Sequence, residues 1–247
     1  MVNLKVGTNY NEDTVREIVD SFNHSGKTFW KKRNTIKVFD VEDEQWNVKS
    51  FQVPHLINRF AYKYVRKSKA RRSFEYASIL LDKGILTPAP IGYVENSNLA
   101  GLLDSYYISR NLKYDFCFED LMDENFTDRI NILGQFTEFT HQLHEKQIHH
   151  LDHSKGNTLI CRKDEGEYDF YLIDLNRMKF ETLDYQQRID NFNRLSLTPS
   201  MIEIIGKKYA AIIGLDETKV IGDITASCQK FHDFVRRKER LKKSVKK

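Results

Sequence analysis

The run Ile148-His-His-Leu-Asp-His-Ser-Lys-Gly-Asn157 sets an aspartate, Asp152, five residues ahead of an asparagine. A second aspartate, Asp174, closes the apolar run Phe170-Tyr-Leu-Ile. A carboxylate on a short loop can accept or orient the proton of an attacking hydroxyl. An amide oxygen and a second carboxylate are hard oxygen donors of the kind Mg²⁺ takes in octahedral array. Taken alone, an Asp and an Asn at this spacing recur by chance, and Asp152 could equally cap a turn. The surrounding elements give the pair its weight.

Those elements are legible in the hydrophobic periods. Thr35–Val41 and Trp46–Val53 alternate with period two around an acidic turn at Glu42–Glu44, and read as paired strands. Residues 55–83 read as a helix, with apolar positions at Leu56, Phe60, Tyr64, Phe74, Ala77 and Leu80, closed by Gly84 ahead of Pro88 and Pro90. Short strands are expected at Ile91–Glu95 and Ser105–Arg110. Asp128–Lys146 carries a 3.6-residue pattern through Ile130, Leu133, Phe136, Phe139 and Leu143. After it, only Asn157–Cys161 and Phe170–Asp174 read as strands. The chemistry-bearing run is thus expected between a long helix and a strand, with Asp174 ending the next strand.

The 247 residues hold 39 Lys and Arg against 35 Asp and Glu, with 40% hydrophobic and 30% charged residues. Disorder as a whole-chain description is excluded by 16 Phe and 12 Tyr. No apolar run approaches the roughly 20 residues of a membrane helix, and the cytoplasm is the expected location. Cys117, Cys161 and Cys228 are widely spaced and form neither a metal pattern nor a disulfide framework. The net charge of +4 conceals a basic segment, Arg236–Lys247, with eight basic residues and one acid. Without that segment the balance is 31 basic against 34 acidic residues, so no nucleic-acid partner is expected.

Two metal or phosphate readings fail on spacing. His144-Glu145 is followed by a histidine at 149 rather than 148, so the zincin pattern is missing. Gly26-Lys27-Thr28 would need a glycine where Ser21 stands to make a P-loop.

His150-Leu-Asp152 with Asn157 resembles the H-R-D-x-x-x-x-N loop of protein-kinase-like phosphotransferases, and Leu172-Ile-Asp174-Leu-Asn resembles the D-F-G position. The resemblance implies an α+β, two-lobed fold with a strand-rich N-lobe over 1–110, a helical C-lobe over 111–235 and the basic tail 236–247. A cleft would lie between the lobes, with the joint at Ile108–Lys113. It implies Asp152 as catalytic base, Asn157 and Asp174 as ligands of Mg²⁺, and Lys49 as the strand lysine on the ATP phosphates. Glu75, the only carboxylate between Glu44 and Asp82, would pair with Lys49 from the helix. His150 would brace the catalytic loop. Gly26, in a degenerate turn Asn23–Thr28, with Ser109 and Asn111 at the joint, would complete the nucleotide site. No G-x-G-x-x-G precedes Lys49, which departs from the kinase pattern.

No A-P-E follows Asp174, and only 73 residues remain after it, too few for an ordinary protein-kinase C-lobe. Gly84-Ile-Leu-Thr-Pro-Ala-Pro-Ile-Gly-Tyr-Val94, the approach Leu143-His-x-x-x-Ile148, Ile173-Asp-Leu-Asn-Arg177, and the openings Arg33-Asn-Thr-Ile-Lys and Trp46-Asn-Val-Lys resemble the bacterial lipopolysaccharide kinases over residues 25–195. That family implies phosphate transfer from ATP to a Kdo or heptose hydroxyl of an anionic glycolipid; no obligate protein partner is inferred from the sequence. The alternatives are an aminoglycoside- or choline-type small-molecule kinase, an atypical Ser/Thr protein kinase, and a pseudokinase binding module. Lys63, Arg66, Lys67, Lys69, Arg71 and Arg72 form a run of cations expected to grip the acceptor. The tail, anchored through Phe231, Phe234 and Val235, is expected to add a peripheral contact with the anionic inner face of the inner membrane.

Overall fold

A computed structural model of the chain describes residues 1–52 and 66–245. Leu56, Phe60, Lys63 and Tyr64 fall outside the described residues. The chain divides into two compact units, Met1–Lys113 with Asp174–Asn176, and Tyr114–Ile173 with Arg177–Lys247.

The first unit is a six-stranded antiparallel sheet in the order β1-β5-β6-β4-β3-β2. Its strands are β1 (Val2–Val6), β2 (Lys27–Lys31), β3 (Thr35–Val41), β4 (Glu44–Ser50), β5 (Pro90–Asn98) and β6 (Gly101–Arg110). A helix unanticipated by the strand-rich reading of this region, α1 (Glu12–Ser21), precedes β2. Asn11 caps it, its side chain accepting from the Asp13 N–H, and Glu12 and Asp13 favour its positive end. Val15, Ile18, Val19 and Phe22 form its apolar stripe, packed on Phe39, Trp46, Val48, Ile91 and Ile108. The second helix, α2 (Lys69–Asp82), is capped by the Ser68 side chain, which accepts from the Arg71 N–H. Its Ala70 and Phe74 pack with Phe51 and Tyr93. Gly84, with φ +68°, lets the chain leave α2 and turn into Ile85, whose N–H bonds the Leu80 carbonyl at 2.8 Å.

This arrangement assigns the faces of β4. Val48 belongs to the core under α1, and Phe51 to the cluster under α2. Lys49 therefore shares the α2 face, with its ammonium 5.4 Å from the centre of the Phe51 ring.

The second unit is built on α3 (Arg129–Glu145), with α4 (Tyr185–Asp190), α5 (Pro199–Ile213) and α6 (Glu217–Val245). Two small antiparallel sheets accompany them: β10-β9-β7, and β11 with β8. These strands are β7 (Phe116–Cys117), β8 (Ile148–His150), β9 (Thr158–Arg162), β10 (Tyr168–Leu172) and β11 (Met178–Phe180). Leu133, Phe136 and Leu143 of α3 are buried, as the helical period requires, whereas Ile130 is 70% exposed.

The segment from Arg236 is not separate. It continues α6 as far as Val245, because nothing between Glu217 and Val245 breaks the helix. Val220, Ile224 and Cys228 are the buried positions of α6, and Phe234 is 59% exposed. The expected anchoring by Phe234 is thus corrected: the helix is held one to four turns earlier. Among the described residues no helix is long and apolar enough to cross a membrane.

Candidate active site

In the second unit the loop after β8 carries Asp152, and its geometry follows from two strand pairs. β8 pairs with β11 in the register Met178↔His150, so Arg177 follows on opposite Leu151, whose N–H bonds the Arg177 carbonyl at 2.9 Å. That register delivers the Arg177 guanidinium to Asp152 Oδ2 at 3.3 Å. Arg194 donates to the other oxygen, Oδ1, at 3.2 Å, with its guanidinium 4.8 Å from the centre of the Phe231 ring of α6. Two guanidiniums thus fix the orientation of one partly exposed carboxylate.

The imidazole of His150 braces the loop from within. Its Nδ1 accepts from the Asp152 N–H at 3.1 Å, which leaves Nε2 to donate to the Ile173 carbonyl at 3.2 Å. The Asn191 side chain holds the His150 carbonyl at 2.9 Å. His153 is fully buried against Phe136, and burial pushes its pKa well below the usual value.

β9 and β10 form a hairpin with Leu172 opposite Thr158. Extending that ladder, the Ile173 N–H bonds the Asn157 carbonyl at 3.0 Å. Asn157 and the residue just before Asp174 are therefore partners at one end of the hairpin. The Asn157 amide donates from Nδ2 to the Asp152 carbonyl at 2.8 Å, which leaves Oδ1 as its acceptor.

In the first unit Lys49 Nζ lies 2.8 Å from Asp174 Oδ1, and Asn176 Nδ2 donates to the same oxygen at 2.7 Å. Asp174 adopts a left-handed backbone with φ +57°, a conformation Asp tolerates better than branched residues. The expected pairing of Lys49 with Glu75 is not formed. Glu75 Oε2 takes Lys67 Nζ at 2.6 Å and Oε1 takes Arg71 Nε at 2.9 Å. Burial alone would raise the Glu75 pKa, but the hydrogen bonds from Lys67 and Arg71 hold it below the usual range. The reason is helical spacing: Arg71 and Glu75 are one turn apart on the same stripe of α2. Lys69 is the α2 cation within electrostatic reach of Lys49. Lys69 is pushed below its ordinary pKa by burial and then by Arg33, with Arg72 and Lys49 adding to it and Asp174 opposing.

The other expected nucleotide residues have local duties. Gly26 lies ahead of β2 with φ +78°, and a Cβ there would sit 2.6 Å from the Phe39 ring, so packing explains the glycine. The turn that joins the strands before β4 is instead 32–34. Ser109 is buried on β6 opposite Asn47. Asn111 bonds Gln45 through both its backbone N–H, at 2.7 Å, and its side-chain amide, at 3.2 Å.

The residues missed by sequence reasoning are Arg177, Arg194 and Arg33. Arg177 stands in the quoted run after Asp174, and its register with the loop was the missing information. Arg33 stands just ahead of the first alternating run, Thr35–Val41, in the turn that joins β2 to β3. Arg194 is 42 residues from Asp152 and no local pattern marks it.

The model of the lipopolysaccharide kinase (Kdo/WaaP) family matches residues 12–215 of the chain. No curated protein sequence matches it. Among solved structures the chain is similar to one described as WaaP in complex with acyl carrier protein, at 15% identity and a TM-score of 0.62. That likeness covers 92% of this chain and 98% of the other. At such identity it bears on the fold: α+β and protein-kinase-like, strand-rich at the start and helical toward the end.

Proposed function

The chain belongs to the lipopolysaccharide kinase (Kdo/WaaP) family and is a kinase that moves a phosphoryl group from ATP to an alcohol; we propose that its acceptor is a Kdo or heptose hydroxyl of the lipopolysaccharide inner core. The observation that carries the assignment of roles is the doubly held Asp152 carboxylate, set on a loop braced by His150 and bonded through Asn157. Phosphoryl transfer depends on positioning and charge neutralisation rather than on covalent chemistry by the protein. Asp152 takes or orients the proton of the acceptor hydroxyl, and Arg177 and Arg194 hold its carboxylate in one orientation. Lys49 binds the nucleotide phosphates. Glu75, paired with Lys67 and Arg71, steadies the first turns of α2 rather than Lys49.

The donor set fits Mg²⁺. With Nδ2 committed to the Asp152 carbonyl, Asn157 offers an amide oxygen, and Asp174 offers a carboxylate; both are hard donors. Asn157 and Asp174 would hold the ion, which supplies charge neutralisation at the phosphates when bound.

The basic end of α6 gives the enzyme a peripheral contact with an anionic membrane surface, where each cation contributes about 1 kcal/mol. The eight basic residues and one acid that the sequence carries between 236 and 247 support that contact.

The test of the catalytic assignment is Asp152→Asn. It should lower phosphate transfer to a Kdo- or heptose-bearing acceptor by at least about 10², the scale of positioned acid–base catalysis. Calorimetric affinity for Mg-ATP should stay within about twofold, since no phosphate contact is removed. Wild-type turnover by the variant would end this assignment.

A further inference from the structure

The structure divides the cation run of α2 into two sets with different partners. Lys67 and Arg71 share the single carboxylate of Glu75. Lys69 and Arg72 are one turn apart, and Lys69 lies within electrostatic reach of Lys49, Asp174, Arg72 and Arg33, the last in the 32–34 turn. That turn is pinned: the Asn34 side chain accepts from the Gln52 N–H at 3.2 Å, just past β4. Arg72 Nε is buried and makes no hydrogen bond among the described residues. Beside the Lys49–Asp174 pair, Lys69 thus has the cations Arg33, Arg72 and Lys49 and the carboxylate of Asp174 within electrostatic reach. No second acid can come from the intervening chain, because Glu44 to Glu75 contains no other Asp or Glu. Gathering like charges beside a buried guanidinium nitrogen costs stability unless an anion completes the site.

We propose that Arg33, Lys69 and Arg72 are phosphate ligands of the nucleotide, joining Lys49, so that side-chain cations hold the triphosphate where other kinases use a glycine-rich loop. This rests on the kinase reading above and goes beyond it. It also changes the duty of the α2 cations, which act on the nucleotide rather than the acceptor. Two observations favour the nucleotide. The cluster includes both Lys49 and Asp174, and one member comes from the turn between the strands leading to β4, the place of the phosphate-covering loop in kinases. The absence of G-x-G-x-x-G before Lys49 is then accounted for: guanidinium and ammonium donors replace backbone N–H groups.

The experiment measures Kd for ATP, ADP and adenosine with Mg²⁺ by calorimetry, and KM for the acceptor, in the full-length protein. The variants are Arg33→Ala, Lys69→Met, Arg72→Met, the charge-keeping Lys69→Arg, and Arg66→Ala as an exposed control from the same run. Each loss of charge should weaken ATP binding about tenfold or more, the scale of a charge-assisted hydrogen bond. Adenosine affinity should stay within about twofold because adenosine has no phosphate, acceptor KM should stay within about twofold because the acceptor is not held by these cations, and Lys69→Arg should retain most ATP affinity because it keeps the positive charge. Arg33 is exposed in its turn, so Arg33→Ala tests the idea even if a variant within α2 fails to fold. Unchanged ATP affinity in Arg33→Ala and in the folded α2 variants would overturn the proposal. So would a loss confined to acceptor KM, which would assign the cluster to the glycolipid. If the wild type bound no ATP, the kinase reading itself would fall, an outcome distinct from either.

Discussion

At the scale of single residues, roles separate by what each side chain is tied to. Asp152 is tied to two arginines and to a braced loop, which supports the orienting role proposed for it. Asp174 is tied to Lys49 and Asn176, and it is the carboxylate we propose for the nucleotide's metal. Asp174→Ala should therefore reduce the Mg²⁺-dependent part of ATP affinity by about tenfold or more, in line with loss of a charged ligand. Calorimetry with and without Mg²⁺ checks this; equal affinity in the wild type and variant under Mg²⁺ would remove Asp174 from the metal site. The residues at 49, 152, 157 and 174 stood out because they lie near strand ends and in one loop, and the structure joins 49 to 174 and 157 to 152. Glu75 was misleading. Being the sole acid in its stretch made it the natural partner of Lys49, yet Lys67 and Arg71 lie within one or two turns and reach it first.

At the scale of elements, α3 and α5 meet through His144. Tyr209 donates to Nδ1 at 2.8 Å and Nε2 donates to Asn191 Oδ1 at 3.3 Å, an arrangement that requires neutral imidazole. Burial lowers the His144 pKa from 6.5 to about 3. The folded state thus binds the proton less readily than the unfolded state. The stabilisation is complete above the unfolded pKa and is lost as pH falls from 6.5 toward about 3. His153 contributes in the same direction. Between pH 7 and 5, where few carboxylates titrate, denaturant unfolding should lose stability on the order of 1 kcal/mol per pH unit for each such histidine. His144→Gln should make that slope shallower. An identical slope in the variant would show that His144 binds its proton as readily in the folded as in the unfolded protein.

The legible elements were the long or strongly patterned ones, β3, β4, α3 and the β9–β10 hairpin. β8 and β11 escaped because three residues carry no period, and they exist through pairing with each other. α1 escaped for a different reason. Its stripe of Val15, Ile18 and Val19 was readable, but the surrounding alternation drew the region toward strands.

At the scale of the whole molecule, charge is divided between a chain body of net −3 and a basic C-terminal segment of net +7. The segment's described part continues α6, beyond the buried positions Val220, Ile224 and Cys228, so its removal leaves the helix anchored. Deleting residues 238–247 should lower co-sedimentation with anionic liposomes at low salt while sparing turnover on a soluble acceptor. Equal sedimentation of both forms would take the segment out of membrane contact. The measurement closest to the central claim is transfer of the labelled γ-phosphate from ATP by the full-length protein to a panel of acceptors: truncated lipopolysaccharides ending in Kdo or in heptose, peptides, and aminoglycosides. The account predicts label on an inner-core sugar of a lipopolysaccharide acceptor, abolished in Asp152→Asn. Label on peptides or aminoglycosides, with none on any lipopolysaccharide, would contradict it.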